Sequence, residues 1–200
     1  MRWLVPSDLA QIYGAPGPAA LRKVATRLTD EYRSYIERAR FCVLSTVGPD
    51  GTDASPRGDD GPVVRILDAG TLALPDWRGN DRIDSLLNIA QDERVSLMFF
   101  LRGSGNVIRV NGAARITDDA ALCAEFDRNG NQPRTVIIIR IAEIYFQCAR
   151  AILRAGLWSG DDDSQGLPSP GMILSAMSAG EVGGAAYDEE WPERAARTMW

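Results

Sequence analysis

The stretch richest in usable chemistry runs from Leu74 to Leu87, LPDWRGNDRIDSLL, where a strand-like run passes through a glycine-bearing turn into helical spacing. This is a layout for an anion. The free amide hydrogens of a first helical turn point along the axis, the macrodipole adds partial positive charge, and Arg78 and Arg82 offer forked donors that match a phosphate. The same spacing also suits a capped surface helix with two solvated arginines. A second set of arginines comprises Arg57 and Arg65 in SPRGDDGPVVR and Arg109 in VIRVNG. Strand alternation puts Val63, Arg65 and Leu67 on one face and Val64, Ile66 and Asp68 on the other, so Arg65 interrupts an apolar face and needs a partner. Asp76, Asp53 or Asp59 would serve in a structural ion pair, and an anionic ligand would serve in a binding site.

What the chain lacks narrows the chemistry further. It has 200 residues and no histidine, and of its 22 basic residues only Lys23 is a lysine, leaving 21 arginines. A Ser-His-Asp or Cys-His nucleophile, a His-ligated zinc or non-haem iron and a His-ligated haem are therefore excluded, and Schiff-base chemistry is confined to Lys23. A net charge of −5 and a pI near 4.9 argue against a general nucleic-acid binder. The arginine excess itself fits a GC-rich codon bias. Cys42, Cys123 and Cys148 are widely spaced and odd in number, which points to buried thiols rather than disulfides or a metal knuckle. No segment approaches the apolar length of a membrane span and the N-terminus lacks a leader pattern, so the expected setting is the cytoplasm, without membrane partners.

The elements that must position these residues read as a mainly β chain. Residues 1–18 are broken by Pro6, Pro16 and Pro18 and read as an arm. Apolar steps of three and four from Leu21 to Ala39 predict an amphipathic helix over 19–40. Strand signals follow at 41–47, 52–56, 62–68 and 71–76, then a helix over 80–91 with Asn80 as its N-cap. Strands resume at 94–101, 107–117 and 135–147, with a helix at 118–128 between the last two. The expected architecture is α+β: a six-stranded antiparallel barrel, closed or partly closed because closure removes exposed edges. After a short helix near 149–158 come a polar linker at 159–171 and two helical pieces. Their Trp191 and Trp200 are too large to leave in water and suggest an arm clasping a second subunit. Residues 159–200 are read as part of the same domain or as that clasp.

Taken in order, VVRILD, LALPD, GNDR opening a helix, IAQDERVSLMFF and VIRVNGAARIT resemble the Greek-key split-barrel flavoproteins related to pyridoxamine 5′-phosphate oxidase, over about residues 19–158. SPRGD, the PD-x-RGN-x-R pattern and CARAILRAGLW are similar to a bacterial subgroup of FMN-binding members. The resemblance implies a homodimer holding FMN in a groove between subunits, with an unknown small molecule as substrate of an FMN-dependent oxidoreductase. It implies that Asn80 and Arg82, assisted by Arg78, hold the phosphate. The backbone at Val64 to Ile66 and at Leu74, Pro75 and Asp76 would line the isoalloxazine ring. Arg57 and Arg65 would face its pyrimidine edge, with Arg109 adding charge, and Arg154 and Trp158 would close the site from the partner subunit. Proton handling would fall to water, Tyr145 or Asp76. A non-catalytic FMN store or sensor and a reductase using the deazaflavin F420 are the alternatives. Three departures separate the chain from the vitamin oxidase itself: Ile83 follows Arg82 where a lysine is usual, VVRILD ends in Asp68, and an Arg-x-His segment is missing.

Overall fold

The computed structural model describes residues 1–200. Seven strands form one antiparallel sheet: β1 Phe41–Gly48, β2 Gly51–Gly58, β3 Arg65–Asp68, β4 Thr71–Asp76, β5 Arg94–Phe100, β6 Val107–Thr117 and β7 Thr135–Gln147, in the order β2-β1-β5-β6-β7-β4-β3. With flanking helices this is an α+β split barrel, its seven strands falling on the seven strand signals of the sequence, one more than the six-stranded barrel expected. The helices are α1 Pro6–Ile12, α2 Pro18–Arg22, α3 Asp30–Ile36, α4 Asp84–Gln91, α5 Ala120–Ala124, α6 Arg150–Arg154, α7 Pro170–Met177 and α8 Ala185–Thr198.

Alternation along the strands fills the interior. Cys42 and Leu44 of β1, Val95, Leu97 and Phe99 of β5, Ile108 and Val110 of β6, Ile137 and Ile139 of β7, and Leu72 and Leu74 of β4 join Leu28, Ile36 and Ala39 in one core. The sheet curls strongly. β6 shifts register at Asn111/Gly112, where an added Cβ would strike the Arg140 carbonyl, so the glycine lets the two longest strands bend together. As a result β2 and β4, far apart in strand order, face each other, and Arg57 of β2 reaches Asp76 of β4 at 2.5 Å. β3 pairs with β4 only from Thr71 to Ala73, so Leu74 to Asp76 have no strand on that side. The barrel is split there.

On the outer face of β4 and β7, Ala73 and Val136 pack with Cys123 and Phe126 at and beyond α5, so β4 is buried on both sides. This second cluster decides the fate of Arg65.

Several elements differ from their sequence readings. The helix predicted over 19–40 is two short helices, because Ala25 leaves helical geometry to exchange backbone hydrogen bonds with Ile144 of β7, at 2.9 and 2.7 Å. β3 is shorter than 62–68, since Val63 and Val64 are buried before the strand begins. The helix predicted at 118–128 shrinks to α5, capped by the Asp119 side chain. α4 starts at Asp84 rather than near Asn80, because Asp81 and Ile83 occupy left-handed backbone at φ 57° and 51°. A helix cannot propagate through such residues. Cys148 is exposed, unlike the other two thiols. Burial pushes the Cys42 thiol up to about 12, against the nearby Arg57 charge, so it stays protonated. In the tail, Trp191 is 55% exposed, whereas Trp200 packs in cis against Trp77.

Candidate functional site

At the split lies a cavity of about 990 Å³, ample for a ligand the size of a nucleotide. Three segments build most of it, with Val63, Met199 and Trp200 completing the lining. β2 contributes Asp53, Ser55 and Arg57, which alternate onto one strand face. The end of β4 and the turn into α4 contribute Leu74 to Leu86, and the approach to β7 contributes Arg134 and Thr135.

A continuous polar chain crosses its floor. Arg57 Nη1 donates to Asp76 Oδ1 at 2.5 Å and Arg57 Nε to Ser55 Oγ at 3.1 Å. Ser55 Oγ lies 3.0 Å from Ser85 Oγ, and Ser85 donates to Asp53 Oδ2 at 2.5 Å. Ser85, only 4% exposed, lies in the first turn of α4, and Asp76 closes β4. The chain therefore pins both ends of the intervening turn to β2. Sequence reasoning missed Asp53, Ser55 and Ser85 as members of one site, although the alternation in Asp-x-Ser-x-Arg is a legible polar stripe.

The turn itself is built to present amides. Asn80 Oδ1 accepts from Arg82 N at 3.2 Å, so Asn80 shapes the turn instead of capping the helix. The position before α4 carries no side-chain cap, leaving first-turn amides free toward a ligand. A β-branched residue such as Ile83 at positive φ costs on the order of 1–3 kcal/mol, a strain typical of ligand-holding turns. Successive amides alternating between right- and left-handed backbone form an anion-binding concavity. Thr135 Oγ1 is buried on the cavity wall with no hydrogen-bond partner, an acceptor and donor waiting for one.

The charge on the lining is balanced, not positive. Arg57, Arg78, Arg82 and Arg134 meet Asp53, Asp76, Asp81 and Asp84. Arg82 pairs with Asp84 at 2.9 Å and Arg134 with Asp81 at 3.1 Å, both at exposed side chains, while Arg78 has no carboxylate partner. Arg78, Arg82 and Arg134 are therefore the cations that can turn toward an anion at little cost. The lining as a whole is neutral, so an anion there would rest on these three side chains and the turn amides rather than on net positive charge. Arg134 is a cation that sequence spacing does not single out.

Of the residues that the resemblance assigns to the cofactor, Arg57, Leu74, Pro75, Asp76, Arg78, Asn80 and Arg82 come together at this cavity, and Val64, Arg65, Ile66, Arg109, Arg154 and Trp158 do not line it. Val64 is buried and Ile66 packs against the main core. Arg65 turns outward, donating to the Glu125 carboxylate and, at 2.5 Å, to the Glu125 carbonyl, with its guanidinium over Phe126 at 4.8 Å. Its partner is thus none of Asp76, Asp53 and Asp59, because β3 begins at Arg65 and the α5 end covers that face. Arg109 sits on β6 over the Tyr145 ring at 5.3 Å, and neither residue is at the cavity. Arg154 ends α6, and Trp158 donates to the Ser104 carbonyl at 2.8 Å. No cluster of His, Cys, Asp and Glu suited to a metal ion is present, and no helix is long and apolar enough to cross a membrane.

The profile of the pyridoxamine 5′-phosphate oxidase family matches residues 28–148. The chain belongs to that family. Its fold is similar to the solved structure of HupZ from Group A Streptococcus, at 19% identity and a TM-score of 0.51, covering 60% of this chain and 94% of that one. A histidine-to-alanine variant of the same streptococcal protein matches at 19% identity and a TM-score of 0.50, over 60% of this chain and 98% of that one. An FMN-binding protein from Syntrophomonas wolfei matches at 16% identity and a TM-score of 0.43, over 57% and 86% of the two chains. No curated protein matches the chain. The family match contains all of the cavity lining except Met199 and Trp200.

Proposed function

We propose that the chain is an FMN-binding flavoprotein that acts as an FMN-dependent oxidoreductase on a small molecule. The carrying observation is the cavity at the split, where a strained turn with free amides, three re-orientable arginines and the unpartnered Thr135 hydroxyl converge on one volume. Family membership supports the same reading.

The residues fit the group. Arg78, Arg82, Arg134 and the amides of the turn would hold the phosphate, with Asn80 shaping the turn. Arg57 and Asp76 would meet the polar edge of the ring, and Val63, Leu74 and Pro75 would supply apolar wall. When bound, FMN supplies hydride and electron transfer, which needs no nucleophilic side chain and suits a chain without histidine. Arg57, held by Asp76 and Ser55, keeps a fixed positive charge at the floor, and Asp76 is the carboxylate placed to exchange a proton there. Tyr145 does not line the cavity, which favours Asp76 or water for that step. The balanced lining favours FMN over F420, whose long acidic tail would want a basic groove leading away from the turn.

A homodimer belongs to this reading. In it Arg154 and Trp158 would close the site from the partner subunit, whereas Arg65, held by Glu125, would stay outside it. A non-catalytic FMN store or sensor is the competing function of the same site. The test is the visible spectrum of the purified protein, identification of the released chromophore and an FMN titration of the stripped protein. Flavin absorption in the blue, together with stoichiometric return of FMN to the stripped protein, supports the proposal. A colourless protein that neither binds FMN nor gains heat stability from it overturns the proposal. Bound FMN that no electron donor reduces leaves the store or sensor.

A further inference from the structure

The cavity also carries two tryptophans that the arginines and free amides of the turn do not explain. Trp77 follows β4 directly, and its Nε1 donates to Asp59 Oδ2 at 3.1 Å. The Asp59 side chain is only 2% exposed and also accepts from Gly61 N at 3.2 Å and from Arg128 Nη2 at 3.1 Å. Burial opposes its charge, yet these donations, with Asp60, hold its carboxyl below the usual range. On its other side Trp77 packs on the Ala73, Cys123, Phe126 and Val136 cluster. The indole is therefore fixed by a buried anion and by apolar packing at once.

Trp200 meets it from the tail. The two rings are 5.1 Å apart at 74°, an edge-to-face pair, and both line the cavity. α8 leads to Trp200 although none of its own residues is buried, and the pair with Trp77 brings the tail's end onto the barrel. The tail lies outside residues 28–148, and family membership therefore does not account for it. Two tryptophans lining the same cavity as the turn present large, rigid, polarizable surface at low entropic cost, the usual means of holding a flat heteroaromatic ring.

We propose that Trp77 and Trp200 form a stacking subsite for the planar ring of the ligand whose phosphate sits at the 78–85 turn, with Trp200 supplied by the chain's own tail and Asp59 positioning Trp77. This rests on the flavin reading of the cavity. It makes Trp200 a determinant of ring recognition, separate from phosphate recognition.

The test uses the full chain and three probes, FMN, riboflavin and inorganic phosphate, with affinities from fluorescence quenching and calorimetry. Trp200→Ala should weaken FMN and riboflavin alike, by roughly threefold to tenfold, the range for one aromatic pair. It should leave inorganic phosphate and the melting temperature unchanged, and Trp200→Phe should recover most of the loss. Asp59→Asn should reproduce the ring-selective pattern with a lower melting temperature, since besides loosening Trp77 it gives up the buried ion pair with Arg128. Unchanged or tighter flavin binding by Trp200→Ala would show the indole to be idle or a plug, and overturns the subsite. Equal loss of phosphate binding overturns it too, because the tail would then support the whole site. Wild-type protein that binds neither FMN nor riboflavin brings down the flavin reading and the subsite together. Wild-type binding with an indifferent Trp200→Ala brings down the subsite alone.

Discussion

Arg57 and Arg65 are eight positions apart, both strand arginines that end in a carboxylate, and they do different work. Arg57 lies at the split, its ion pair with Asp76 bridging two strands that share no backbone ladder, with open volume beside it. Arg65 lies on the closed outer wall, where Glu125 and the Phe126 ring take up its charge and its face. Their partners are chemically alike. What differs is the empty space next to the pair, which leaves Arg57 able to act on a third group and Arg65 with no such opening.

The comparison can be broken at four points. Arg57→Ala should do most damage, lowering stability by about 3 kcal/mol in urea unfolding because it strands Asp76 in a partly buried place. Flavin binding should fall with it. Arg82→Ala should leave stability nearly unchanged and weaken FMN by about 2 kcal/mol, the value for a hydrogen bond to a charged group, with riboflavin unaffected. Fluorescence titration of both ligands checks that contrast. Redox titration of the loaded protein should find that Arg57→Gln lowers the flavin midpoint potential by tens of millivolts, ~30 mV being about 1.4 kcal/mol for a two-electron couple. Arg65→Gln should not move that potential, and if it does, the two arginines are not functionally separate. Arg65→Ala should cost the least, about 1 kcal/mol of stability, as befits a half-exposed pair, with flavin affinity intact.

Legibility follows how local each determinant is. β6 and β7 match the strands expected at 107–117 and 135–147, because long β-branched alternation admits no other period. The helix expected over 19–40 gives way to one long-range pairing, Ala25 with Ile144, which leaves no trace in apolar spacing. The turn at 77–83 reads as an anion site from its composition. Its left-handed residues do not show there, since neither Asp81 nor Ile83 announces positive φ as a glycine would. Trp200 stands out in the sequence as a residue needing cover, and the cover is Trp77 in the same chain.

By itself the sequence determined an antiparallel β barrel with helical excursions, a glycine-bearing turn before a helix, and a chemistry without imidazole. These depend on residue type and on periods of two and 3.6, which are local quantities. Only the tertiary structure decided which arginines meet at one cavity, that three of its four cations are already paired with aspartates, and that the tail brings an indole to its edge. Those depend on how far the sheet curls and which edge it leaves open. Packing of the whole barrel sets that curl, and no single segment encodes it.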